Sequence, residues 1–128
     1  MLLVKTQLGP SPIHGIGIFA NEFIAKGTVI WEFTPGFDVY VNPDEVQRLP
    51  AAAQVQMLKY CHRERETGQY VLCADDARFF NHSDQPNTYD LPGREGPTVA
   101  ARDIQVGEEL TCDYFTFDAD VLDKLRGD

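Results

Sequence analysis

A chain of 128 residues with 43% hydrophobic and 11% aromatic content has material for one compact core and not for two. Its net charge of −9 argues against a phosphate-binding surface, which needs clustered Lys and Arg, and fits either plain solubility or attraction of a basic partner. No apolar run nears the roughly 20 residues of a membrane span, and Met1-Leu2-Leu3-Val4-Lys5 falls short of the apolar centre of a secretory signal, about 7–15 residues, so a cytoplasmic protein that meets neither membrane nor nucleic acid directly is expected.

Turn residues punctuate the chain at Gly9-Pro10-Ser11-Pro12, Lys26-Gly27, Thr34-Pro35-Gly36, Asn42-Pro43, Pro92-Gly93 and Val106-Gly107. The first conspicuous segment, Gly15-Ile16-Gly17-Ile18-Phe19-Ala20, matches the dinucleotide-binding pattern G-x-G-x-x-[GA]. That pattern works only where a helix opens at its end, and here Gly27 and a strand-like run follow too soon. What survives is that two glycines allow either a tight turn or a close approach of backbone to something else. From Gly27 to Phe33, Val29, Trp31 and Phe33 alternate with Thr28, Ile30 and Glu32, as a strand requires. Similar β-branched and aromatic bias marks 37–41, 70–74, 98–102 and 110–114. A helix is expected from Ala51, after Pro50, towards Arg63, with Val55, Leu58 and Cys61 near one stripe. A second is expected from Asp118 to Arg126, acidic at its start and carrying Lys124 and Arg126 near its end, with Val121, Leu122 and Leu125 available to dock. Strands without crossover helices argue for a mainly β fold of short, mostly antiparallel strands, with one inserted helix and one short terminal helix. Cys61, Cys73 and Cys112 are odd in number and widely spaced, which suits buried thiols and neither disulfides nor a zinc site.

The richest stretch is Arg78-Phe79-Phe80-Asn81-His82-Ser83-Asp84-Gln85-Pro86-Asn87, where aromatics run straight into polar residues. Polar groups near a core must find partners, so Asn81 and His82 serve either a ligand edge or a polar knot that fixes the fold. Further on, Gly107-Glu108-Glu109-Leu110-Thr111-Cys112-Asp113-Tyr114 is a turn launching a strand that ends in a tyrosine, followed by Phe115 and Phe117. Taken alone, such a tyrosine is a packing residue as readily as a functional one. Together and in this order, the glycine segment, R-F-F-N-H-S-x-x-P-N and G-E-E-L-T-x-D-Y resemble the SET domain, the fold of most protein lysine methyltransferases, over roughly Gly15 to Tyr114.

The resemblance implies a β-rich SET fold of small curved antiparallel sheets, with a knot-like threaded C-terminal region, filling 1–128 as one domain. Its core would be about 3–115, with 116–128 as a closing segment. It implies S-adenosylmethionine as cofactor, cradled by Gly15, Ile16, Gly17, Asn81, His82 and Phe115. Tyr114 would be the catalytic residue where the methyl group passes to a lysine amine, and Tyr70, Phe80 and Cys112 would line the substrate channel. The partner implied is a basic, lysine-containing protein or peptide, which would place the chain at a nucleoid or nucleus if that partner is chromatin-like. A small core leaves homodimerisation open.

Three departures from the family pattern carry meaning. Asp84 stands where many members have a zinc-binding Cys, and no cysteine follows Cys112, so no zinc is expected after the domain. No zinc-rich module is expected ahead of the core, which is similar in this to the short bacterial and viral members. Cys112 stands where Phe or Tyr is common, and its smaller side chain implies room for di- or trimethylation. The competing readings are a SET-fold binding module without turnover, a structural interaction domain, and a metal hydrolase built on His14, His62 and His82. The last lacks ligand-spaced pairs.

Overall fold

The computed structural model describes residues 1–93, 96–116 and 118–126. Phe117, Gly127, Asp128 and the side chains of Asp123 and Arg126, which entered the expectations above, lie outside the described residues. The strands are β1 (Thr6–Pro10), β2 (Ile16–Ala20), β3 (Val29–Trp31), β4 (Val39–Val41) and β5 (His62–Arg63), then β6 (Tyr70–Leu72), β7 (Asn81–His82), β8 (Thr88–Asp90), β9 (Thr98–Ala100) and β10 (Thr111–Cys112). Helices α1 (Pro43–Gln47) and α2 (Ala51–Tyr60) lie between β4 and β5, and α3 (Val121–Arg126) follows β10.

These strands form four small sheets rather than one. β1 and β2 make an antiparallel hairpin, β9 sits between β3 and β8, β6 sits between β4 and β5, and β7 runs parallel to β10. The β1–β2 hairpin replaces what the glycines suggested as loop and turn. Only the bend between the strands is irregular, closed by the Ser11 N–H on the Gly15 carbonyl at 2.8 Å, with Gly15 at a φ of 46°. Ile18 and Ala20 fall on the inward side of β2 and are buried. With Ile24, Ile30, Ala100, Ile104 and Leu110 they form the main core, where each large aliphatic side chain contributes roughly 1.5–3 kcal/mol by leaving water. On β3 it is Ile30, not Val29 or Trp31, that reaches this core.

The inserted helix departs from expectation. It stops at Tyr60, and Cys61 turns into extended backbone, so His62 and Arg63 pair with β6 instead of continuing the helix. Its anticipated stripe fails as well, because Val55 is 62% exposed and Leu58 is exposed too, while Cys61 joins Val46 and Tyr70 in a second, smaller core. The break expected at Asn42-Pro43 opens α1 instead, because Pro43 at its start with Asp44 and Glu45 in the first turn is a helix-opening pattern. α3 starts at Val121, three residues later than expected, and docks through Val121 while Leu122 and Leu125 stay exposed.

What positions the site is the stretch from Gly107 to Cys112. Its first half runs along β2, with the Leu110 N–H donating to the Ile18 carbonyl at 2.8 Å and the Ala20 N–H to the Glu108 carbonyl at 2.9 Å. Its second half leaves β2 and pairs with β7. Asn87 and Thr88 grip it from a further side. The Asn87 amide donates to the Glu109 carbonyl at 2.8 Å and accepts the Thr111 N–H at 2.9 Å, and the Thr88 hydroxyl donates to the Thr111 carbonyl at 2.7 Å.

Candidate active site

The parallel register sets Asn81 opposite Thr111 and His82 opposite Cys112, so the residues after β10 emerge beside those of β7. Tyr114 therefore folds back over His82. Its backbone N–H donates to His82 Nδ1 at 3.1 Å, the two rings lie 5.4 Å apart, and its hydroxyl donates to the Phe80 carbonyl at 2.5 Å. A ring nitrogen that accepts from a backbone amide carries no proton, so His82 is protonated on Nε2, which faces Asp84 at 3.0 Å. His82 thus fixes where the Tyr114 backbone sits.

Asn81 ties β7 to the glycine segment. Its amide donates to the carbonyls of His14 at 3.1 Å and Ile16 at 3.4 Å, and to Glu109 Oε2 at 2.9 Å. The same carboxylate accepts the Ser11 hydroxyl at 2.8 Å. Glu109 is the hub, although nothing in the sequence alone singles it out from the motif around it. Glu108 does face solvent, where it pairs with Arg102 at 2.9 Å, but Glu109 is turned inward. A Cβ on Gly17 would lie 2.4 Å from Glu109 Oε2 and 3.0 Å from Ser11 Cβ, so a side chain there would displace this carboxylate from its place.

Alongside lies a cavity of about 370 Å³ whose lining includes Trp31, Phe33, Tyr40, His62, Phe80, Asp90 and Cys112. Of the three residues assigned to the substrate channel, Phe80 and Cys112 are in this lining. Tyr70 is not, because it is buried in the second core, with the Arg63 guanidinium 5.6 Å from its ring centroid. Gly15, Ile16, Gly17, Asn81, His82, Tyr114 and Phe115 also lie outside the lining. They form a neighbouring group joined to it through the Tyr114–Phe80 hydrogen bond. Within that group Ile16 is 53% and Phe115 48% exposed, and the Phe115 ring meets His82 edge-on at 5.5 Å.

Two side chains of the lining are shifted by their own burial. Burial, aided by the charge of Lys124, pulls the His62 imidazole down to about 4, so it is neutral at pH 7. Burial, then the nearby Asp90 charge, pushes the Cys112 thiol well up, so it too is neutral. Cys61 and Cys73 are buried and free, as their spacing suggested.

The residues after Tyr114 are tied down by Asp118. Asp118, expected as the acidic start of the terminal helix, instead precedes it and is 0% exposed. Its Oδ1 accepts the Arg63 N–H at 3.1 Å and its Oδ2 pairs with Lys124 Nζ at 2.8 Å. Arg65 adds bonds to the carbonyls of Phe115 and Asp118, each at 3.0 Å. Lys124 Nζ comes to lie 5.8 Å from the Tyr114 ring centroid.

Comparison with known proteins converges on one family. A family model described as the SET domain matches residues 15–115. The chain is 33% identical, over 96% of its length, to a Schizosaccharomyces pombe histone-lysine N-methyltransferase described as H3 lysine-4 specific. It is 31% identical, over 91% of its length, to the Arabidopsis thaliana histone-lysine N-methyltransferase ATX2. It spans only 14% and 11% of those two proteins. Among solved structures, the methyltransferase domain of human histone-lysine N-methyltransferase SETMAR superposes with a TM-score of 0.62 at 26% identity, covering 88% of this chain and 45% of that one.

Proposed function

The chain belongs to the SET domain family, and from that premise we propose that it transfers methyl groups from S-adenosylmethionine to the ε-amine of lysine in a protein substrate. The observation that carries this reading is Tyr114, whose hydroxyl is held on the Phe80 carbonyl beside a cavity lined by Phe80 and Cys112.

The residues present fit the cofactor. Ile16 and Phe115 offer exposed apolar surface, the Phe115 ring against His82, and the Asn81 amide holds the His14–Ile16 backbone in place. When bound, S-adenosylmethionine supplies a methyl carbon on a sulfonium, which makes it the electrophile. The chain's own task is alignment and desolvation, and near-attack geometry alone is worth about 7–11 kcal/mol. An acceptor lysine, with a pKa of about 10.4, must also lose its proton, at a cost of roughly 4–5 kcal/mol at pH 7. The environment that neutralises His62 and Cys112 acts on an entering lysine in the same sense, because desolvation disfavours the ammonium. The Tyr114 hydroxyl donates its hydrogen bond to the Phe80 carbonyl, so toward an acceptor amine its oxygen acts as a hydrogen-bond acceptor. No dedicated general base is required.

The net charge of −9 fits a basic acceptor protein. Cys112, smaller than an aromatic side chain, leaves room for an amine that already carries methyl groups, so the product is di- or trimethyl-lysine. Mass spectra of a product that stops at one methyl would refute that extension. The reading itself is tested by incubating the protein with labelled S-adenosylmethionine and host protein extract, then hydrolysing the labelled proteins. Label recovered in methylated lysine is expected. Cofactor binding with no transfer to any protein would favour a binding module instead.

A further inference from the structure

Lys124 carries a charge towards the site from outside the cavity. It lies on α3, which docks through Val121, and its side chain is only 19% exposed. Its Nζ stands 2.8 Å from Oδ2 of the fully buried Asp118 and 5.8 Å from the centroid of the Tyr114 ring, within the roughly 6 Å over which an ammonium and an aromatic face attract. Oδ2 accepts no aligned hydrogen bond among the described residues, so the two meet as charge against charge. With so little water at either partner, the field of the pair is weakly screened. The Asp118 backbone N–H also donates to the Tyr114 carbonyl at 2.9 Å, which fixes the pair relative to the tyrosine.

An ion pair is a dipole, and its orientation decides what the site feels. Asp118 faces β5, where its Oδ1 accepts the Arg63 N–H at 3.1 Å, and Asp120 is turned to the Arg63 guanidinium at 3.7 Å. Lys124 takes the side of the Tyr114 ring. Three groups register the difference. At His62, after burial, the Lys124 charge acts most strongly and against the weaker pulls of Asp118 and Glu64. At Cys61 it again exceeds Asp118, with Arg78 acting in its favour. At Cys112 it follows Asp90 but comes ahead of Asp113 and Asp118. His62 and Cys112 line the cavity, so the positive end of the pair is the one felt there.

We propose that Lys124 tunes the methyl transfer through its charge: the ammonium, held by Asp118 on the Tyr114 side, repels the protonated acceptor amine and so favours its neutral form. This rests on the methyltransferase reading, which supplies the acceptor. The acceptor ammonium gives its proton to water. The nitrogen lone pair then bonds to the methyl carbon as the carbon–sulfur bond breaks and leaves its electron pair on sulfur. Lys124 touches none of these atoms; it shifts the first step, and Asp118 sets by how much.

The test uses the fact that Lys124→Met and Asp118→Asn both break the pair but change the charge in opposite senses. Each variant changes one charge and leaves the rest of the wall alike, so the differences report the pair alone. The reaction is label transfer from S-adenosylmethionine to lysine in host protein extract, with initial rates followed against pH, and its acid limb reports loss of the acceptor proton. Lys124→Met should move that limb up by at least about half a pH unit, and Asp118→Asn should move it down by a similar amount. Lys124→Arg, which keeps the charge, should leave it in place. If Lys124→Met fails to fold with Asp118 stranded, Lys124→Met/Asp118→Asn replaces it, and the limb should still rise. The His62 titration, followed by NMR, reads the same field without turnover and should rise in Lys124→Met or in the double variant. A limb that stays put in both single variants, or moves the same way in both, overturns the proposal. So does an unmoved His62. A wild-type protein that transfers no label while His62 responds as expected would sink the methyltransferase reading and leave the action of the Lys124 charge on the cavity standing.

Discussion

Single residues here carry two kinds of constraint that look alike in a sequence. Gly17 stands in a motif known for approaching ligands, yet its missing Cβ is taken up by the Glu109 carboxylate. Gly17→Ala is therefore expected to cost about 1–3 kcal/mol of stability, as overpacking does, measured by urea unfolding. In a Glu109→Ala background the same substitution should cost much less, because the colliding group is gone. His62 gives the fold a pH dependence. Its pKa of about 4 in the folded chain lies below its ordinary 6.5, so the unfolded state takes up the proton first. Stability is then full above pH 6.5 and falls as pH drops towards 4, by on the order of 3 kcal/mol. His62→Gln should flatten that stretch of the curve. Asp38 acts further into acid. Burial pushes its carboxyl up, but the Met1 ammonium and the amides of Ala74 and Thr34 more than offset this and hold it low, so its contribution is lost as pH falls through that lowered value.

At the scale of elements, the stretch from Gly107 to Cys112 is what the others close around. Asn87→Ala removes the side-chain bonds to Glu109 and Thr111 and should cost about 1–3 kcal/mol. The Thr111 amide should exchange with solvent markedly faster than in the wild type, read by hydrogen–deuterium exchange. The strands at 29–31, 70–72 and 98–100 were visible in the sequence because β-branched and aromatic residues cluster there between turns. The candidate site was visible in outline because its residues fall in three compact motifs. The β1–β2 hairpin was not, since Gly9, Pro10 and Gly15 read as breakers and only pairing across the bend rescues them. The helix stripe at Val55 and Leu58 failed for a different reason. Helical spacing shows that a face exists, not that anything covers it, and Val55 and Leu58 stay exposed on α2. Glu109 and Asp118 stayed hidden because carboxylates are exposed by default, and the inward contacts of the first and the burial of the second depend on Asn81, Ser11, Arg63 and Lys124 arriving from distant segments.

Across the whole molecule, four small sheets bring residues from 11–17, 80–82, 87–90 and 109–116 to one region, with the segment after Tyr114 fastened over it by Asp118. No single sheet could do this, because the site needs the parallel contact of β7 and β10 and the antiparallel pairing of β8 and β9 at once. The central claim is that the Tyr114 phenol, set by His82 and Phe80, holds the acceptor amine while a separate group of residues holds the cofactor. The most direct test is the single-turnover rate of methyl transfer to protein lysine at saturating S-adenosylmethionine, wild type against Tyr114→Phe, with cofactor affinity measured by calorimetry. The account predicts a rate at least about tenfold lower, or about 1.4 kcal/mol of barrier, with cofactor affinity little changed. Equal rates in the two proteins would contradict it.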